Sequence, residues 1–182
     1  MIDCFSALGV KRRFALDSAD LERRYYQISR EIHPDRFTTG GADAQRLSLE
    51  KMSDLNQAYR TLKDPVYRRS HLLELEGLVV SQGSQIPMEL AEGWFELQDA
   101  LMEDPGAAQA KLAQFEAEFA ALKQTRERQI AELERQADLE AERVHLDAYR
   151  AILAQIAEVI RQESYLSSME RDIERIKAQR AH

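Results

Sequence analysis

The chain reads as an all-α protein: an N-terminal antiparallel helical hairpin with short flanking helices, then a C-terminal three-helix bundle. Three observations predict this. Its 182 residues include only 7 glycines and 4 prolines while 31% are charged, a composition of long, solvated helices. Apolar residues recur in steps of three and four along most of the length, the period of one helix face. The charge is also divided, with 13 Lys+Arg against 12 Asp+Glu in residues 1–80 and 12 against 20 in residues 81–182. The boundaries predicted are 1–77 for the first domain, 78–87 for a linker and 88–182 for the bundle.

The first domain divides into four helices. Phe5, Leu8 and Val10 make a short apolar segment that closes near Gly9. Asp17 suits an N-cap, and Asp20 adds negative charge to the first turn of the next helix. Leu21, Tyr25, Ile28 and Ile32 form its apolar face, opposite Arg23, Arg24, Gln27 and Arg30. Pro34 disfavours helical geometry at His33, so the helix ends there. A third helix begins near Ala42, with Ser48, Met52, Leu55, Tyr59 and Leu62 on one side. Two such helices joined by a short loop pack antiparallel. Asp64 and Pro65 fit the cap and first position of a fourth helix, which Val66, Leu72, Leu73 and Leu75 make apolar and Gly77 ends.

Beyond the linker one helix spans about Met88 to Glu103 and stops at Asp104-Pro105-Gly106. The next carries Leu112, Phe115, Phe119, Leu122, Ile130 and Leu133. The last carries Val144, Tyr149, Ile152, Leu153, Ile156 and Val159, with a tail stripe from Tyr165 to Ile176 that has no assigned role. No glycine or proline separates these two helices, which places their boundary only loosely, near 136–143.

Composition also excludes several functions. No apolar run approaches the ~20 residues that span a bilayer, and the start of the chain lacks the pattern of a signal peptide. One cysteine, Cys4, forms no internal disulfide framework and fits a reducing compartment, so the cytoplasm is the expected setting. A net charge of −7 argues against nucleic acid as a partner. His33 and Asp35 could serve as a general base and its orienting carboxylate. However, the chain offers no phosphate cradle, no nucleophile in a recognisable setting and no His/Cys ligand spacing, so neither catalysis nor a cofactor or metal is expected. His71, His145 and His182 stand singly and read as surface or cap residues.

The tripeptide His33-Pro34-Asp35 carries more information in context. It follows a basic helix face, precedes Arg36-Phe37 and the loop Thr38-Thr39-Gly40-Gly41, and is followed by Asn56-Gln57-Ala58-Tyr59-Arg60-Thr61-Leu62. Phe37 is placed to anchor the loop. This arrangement resembles the J-domain, which docks on DnaK-type chaperones and triggers their ATP hydrolysis. Pro65 and Arg69-Ser70-His71-Leu72-Leu73 narrow the resemblance to the HscB family, J-protein co-chaperones of iron–sulfur cluster assembly in their bacterial form. The resemblance implies that His33, Pro34 and Asp35, with Arg23, Arg24 and Arg30, engage a specialised DnaK-type chaperone. It also implies that the C-terminal bundle binds the iron–sulfur cluster scaffold protein.

The helix 88–103 offers a second, independent surface. Leu90, Trp94, Leu97 and Leu101 form a stripe suited to a core, whereas Met88, Ala91, Phe95 and Met102 make another apolar line. Glu89, Glu92, Glu96, Asp99 and Glu103 surround them, and no lysine or arginine occurs between 81 and 110. An apolar line with an acidic rim fits a recognition patch, and burial on two sides is the competing reading. By register with the family, the scaffold-binding positions fall on Ala91, Glu92 and Phe95, with Glu96 and Asp99 as the acidic rim and an aromatic site near Tyr149 or Ile152. Two rival readings are a general J-domain adaptor with broader clients and a helical protein that self-associates.

Overall fold

The structure, a computed structural model, describes residues 2–37, 41–78, 88–103 and 105–180. It is all-α, with no strand among the described residues. The helices are α1 (Cys4–Ala7), α2 (Ser18–Ile32), α3 (Gly41–Lys63), α4 (Pro65–Leu75), α5 (Met88–Glu103), α6 (Pro105–Arg143) and α7 (Leu146–Arg180), with a 3₁₀ turn at Pro34–Phe37. They fall into two compact units, Met1–Val79 and Val80–His182. Of the linker expected at 78–87, residues 79–87 lie outside the described residues, as do Thr38, Thr39, Gly40, Asp104 and His182.

In the first unit, caps set the helix starts. Asp3 accepts from the amides of Phe5 and Ser6, Asp17 from those of Ala19 and Asp20, and Asp64 from those of Val66 and Tyr67. Each thereby satisfies donors that the first helical turn leaves open. Gly77, just beyond α4, has φ +78°, a left-handed conformation that glycine adopts without strain. Helices α2 and α3 pair through a Tyr25–Tyr59 stack with centroids 4.4 Å apart, and Tyr25 Oη donates to Asn56 Oδ1 at 2.8 Å. Phe5, Leu8, Leu21, Leu55, Leu62, Leu72 and Leu73 are buried.

Two expectations for this unit need correction. His71 is not a surface residue: it is 7% exposed, its ring stacks on Phe5, and its Nε2 caps α1 by accepting the backbone N–H of Cys4 at 3.0 Å. The cause is that α4 turns His71 towards α1, whose first amide needs an acceptor. Val66, counted with the apolar side of α4, sits in the capped first turn and is exposed.

In the second unit, α5 packs on the N-terminal half of α6, and α7 runs back along α6. Leu90 and Leu97 of α5, Leu112, Phe115 and Phe119 of α6, and Leu166, Met169 and Ile173 of α7 form one core, flanked by half-buried Trp94, Leu101, Leu122, Tyr165 and Ile176. The tail stripe of α7 therefore closes the bundle around α5. The turn between α6 and α7 comes at Val144–His145, so Val144 is not part of the last helix. It is exposed, with φ +61°, and the His145 amide donates back to Glu140 O at 3.1 Å. This is the hydrogen-bond pattern of a helix stop that usually employs glycine.

Candidate functional site

Helix α2 stops at Ile32 because His33 turns to extended geometry (φ −61°, ψ 134°) and Pro34 supplies no amide hydrogen. The chain then makes the 3₁₀ turn Pro34–Phe37, closed by the Arg36 amide donating to His33 O at 3.0 Å. The Asp35 amide donates to His33 Nδ1 at 3.3 Å. The same Nδ1 lies 3.4 Å from Asp35 Oδ2, and the two side chains are 47% and 87% exposed. The tripeptide is thus displayed on open surface. The side chain of Phe37, expected to anchor the loop, lies outside what the structure describes.

The carbonyls that α2 leaves open just before this turn are met from elsewhere. Ser48 Oγ donates to Ile32 O at 2.5 Å, and Arg36 Nη1 donates to Arg30 O at 3.3 Å. Upstream, Arg23, Tyr26, Gln27, Arg30 and Glu31 line a shallow groove on the same helix. Tyr26, 54% exposed, was not singled out in the sequence because it falls off the apolar stripe. Arg23 is exposed and pairs with Asp20. Arg24 is employed differently: its Nε bonds Asp20 Oδ2 at 2.8 Å and its Nη1 donates to Gly9 O at 2.8 Å, so it fastens α2 to the end of α1. The arginines draw the Asp20 carboxyl below its ordinary range, Arg24 most of all.

On α5 the structure separates the two apolar lines. Leu90 and Leu97 are buried and Trp94 packs on Phe115, whereas Met88, Phe95 and Met102 are 90%, 60% and 83% exposed. Met88, Glu92, Phe95, Asp99 and Met102 follow one another in steps of four and three, so acid and apolar groups alternate along a single exposed line. Ala91 is half-buried beside it. Glu96 is drawn to α6 by Lys111, and Glu89 by Arg126. Glu92 and Asp99 are the exposed acids of the line.

Tyr149 and Ile152 do not join this surface. Tyr149 lies one turn past the α6–α7 connection and is 8% exposed, and Ile152 is half-buried. Phe95 adjoins Trp94, which packs on Phe115, whereas Ile152 lines a groove with Gln136 and Glu140 near the other end of α6. At about 1.5 Å per residue along α6, the separation from Phe115 to Glu140 is roughly 40 Å. The aromatic of α7 that packs against the α5 core is Tyr165. Its signal lay in the Tyr165–Ile176 stripe, but placing α5 against that stripe required knowing where α6 turned back.

Comparison with known proteins bears on the fold and the family. Residues 3–71 match the DnaJ domain family. The co-chaperone protein HscB homologues of Bordetella pertussis and Bordetella bronchiseptica are each 34% identical over 128 residues, covering 68% of this chain and 75% of theirs. Among solved structures, chaperone HscB from Vibrio cholerae is similar with a TM-score of 0.59 at 25% identity, covering 98% of this chain and 99% of that one. Human co-chaperone HscB shares the fold with a TM-score of 0.59 at 23% identity, over 97% and 83% of the two chains. The N-terminal unit is a J-domain, and the chain belongs to the HscB family of co-chaperones.

Proposed function

We propose that this chain is a two-headed adaptor in iron–sulfur cluster assembly, acting in the cytoplasm without catalytic chemistry of its own. Its J-domain engages a specialised DnaK-type chaperone through His33, Pro34, Asp35 and the basic groove of α2. The bundle binds the cluster scaffold protein and brings it to that chaperone. The observation that carries the reading is the display of His33 and Asp35 on an exposed turn directly after Arg30. A protruding turn beside positive charge can meet an acidic partner surface, where complementary charge speeds and orients docking.

An adaptor changes a partner's ATPase only by binding some of its states more tightly than others. Contacts from the turn would therefore favour the chaperone state that hydrolyses ATP. On α5, the exposed Met88–Phe95–Met102 line with Glu92 and Asp99 supports a partner that presents apolar and basic groups together.

The test is the ATPase rate of the purified DnaK-type chaperone with unmodified and His33→Gln protein. The variant should fold normally, because a half-exposed histidine contributes little packing, and should lose stimulation. Undiminished stimulation would falsify the docking role. Capture from cytoplasmic extract addresses the cargo: selective enrichment of the scaffold protein supports the reading, and a diffuse set of unfolded clients overturns it.

A further inference from the structure

Ser48 is one of two polar residues buried among those described, at 3% exposure in the N-terminal half of α3. A serine inside a helix commonly bonds its own preceding turn or water. Here the hydroxyl crosses to α2 and donates to Ile32 O. That carbonyl belongs to the peptide whose nitrogen is His33 N, and the peptide is planar. Fixing its oxygen therefore fixes the plane from which the docking turn departs. Pro34, which has no N–H, leaves open the carbonyl of Arg30, four residues back, and the Arg36 side chain meets it.

We infer that Ser48 is a positioning residue for the docking turn: by holding the Ile32 carbonyl it sets the direction in which His33 and Asp35 project. The inference rests on the proposed role of that turn. Arg36 adds a second tie one turn back, through Arg30 O, and its own amide closes the turn on His33 O. Removing the Ser48 hydroxyl leaves the Ile32 carbonyl without that donor while the apolar contacts between α2 and α3 persist. The turn then samples other directions, and the chaperone must reorder it on binding, which weakens affinity more than the maximal effect.

The experiment compares unmodified protein, Ser48→Ala and Ser48→Thr, the last keeping a hydroxyl. Amide hydrogen exchange is read at Arg36, in the turn, and at Ala58, in the buried part of α3. Chaperone ATPase stimulation is read as maximal rate and half-saturating concentration. In Ser48→Ala, Arg36 should exchange about tenfold faster relative to Ala58, and the half-saturating concentration should rise up to about tenfold, the worth of one hydrogen bond. Ser48→Thr should restore both. If Arg36 and Ala58 lose protection in parallel, or neither changes, Ser48 has no positioning role and the inference is overturned. Should even the unmodified protein fail to stimulate, the docking reading falls, and the exchange at Arg36 still decides whether Ser48 orients the turn.

Discussion

Arg24 Nη1 donates to the carbonyl of Gly9 at 2.8 Å, so a residue from the basic side of α2 also holds the end of α1. Arg24 is 42% exposed at its side chain and Arg23 is 72% exposed. The two neighbours should respond differently to truncation. Arg24→Ala should lower the stability of the J-domain by about 1 kcal/mol, the usual net worth of such a bond. Arg23→Ala should stay within about 0.5 kcal/mol, because an exposed pair with Asp20 contributes little, while weakening chaperone stimulation. Urea unfolding beside an ATPase titration separates them, and equal destabilisation would contradict this division.

A buried imidazole that accepts a backbone hydrogen bond makes the first unit sensitive to acid. Burial lowers the His71 pKa from its ordinary 6.5, against the pull of Asp3 and Glu74 and with a smaller push from Arg12. The folded state thus prefers the neutral ring, whose Nε2 can accept from Cys4. This stability is fully present above the unfolded value near 6.5. It is lost as the pH falls below that value towards the lowered folded one. Urea midpoints followed from pH 7.5 downward should therefore fall below about pH 6.5. In His71→Gln that part of the slope should vanish; an unchanged slope would assign it to another group.

Phe95 and Leu97 stand two residues apart on α5 yet face opposite fates, at 60% and 0% exposure. Leu97→Ala should cost the bundle about 2–5 kcal/mol through lost burial and a cavity. Phe95→Ala should change stability by no more than about 0.5 kcal/mol, and should weaken binding of the scaffold protein at least tenfold if Phe95 anchors that contact. Calorimetric titration with both variants measures this. Unaltered affinity in Phe95→Ala would move the binding face elsewhere.

Why the first unit was more legible than the second follows from how far each signal acts. Asp17, Pro34, Asp64 and Gly77 set their elements within a few residues, and the sequence displays such local chemistry directly. The α6–α7 connection relies on Val144 in a left-handed conformation, where a β-branched residue is unfavourable and carries no turn signature. Without that turn, the level of each α7 residue against α5 could not be deduced, and so the packing of Tyr165 on the α5 core was not read. The burial of His71 and the partner of Ser48 escaped for a related reason. Each is polar and buried because of a partner 67 or 16 residues away, and periodicity does not report on partners.

Gly93 lies where α5 packs closely on α6. A Cβ placed there would lie 2.8 Å from Glu118 Oε2 and 3.2 Å from Phe115 Cδ2. The glutamate is exposed and can swing away. Phe115 is 1% exposed and bracketed by Trp94 and Phe119, with ring centroids at 5.3 and 6.4 Å, so its ring has no room to retreat. Alanine would gain up to about 1 kcal/mol of helix propensity, against about 1–3 kcal/mol for crowding a packed core. Gly93→Ala should therefore destabilise the bundle by about 1 kcal/mol. The sign should reverse in a Phe115→Leu background, where the smaller side chain removes the obstruction and leaves the propensity gain. Thermal unfolding of the two single variants and the double variant completes the cycle. A stabilising Gly93→Ala in the unmodified background would show that α5 lifts from α6 more readily than this packing allows.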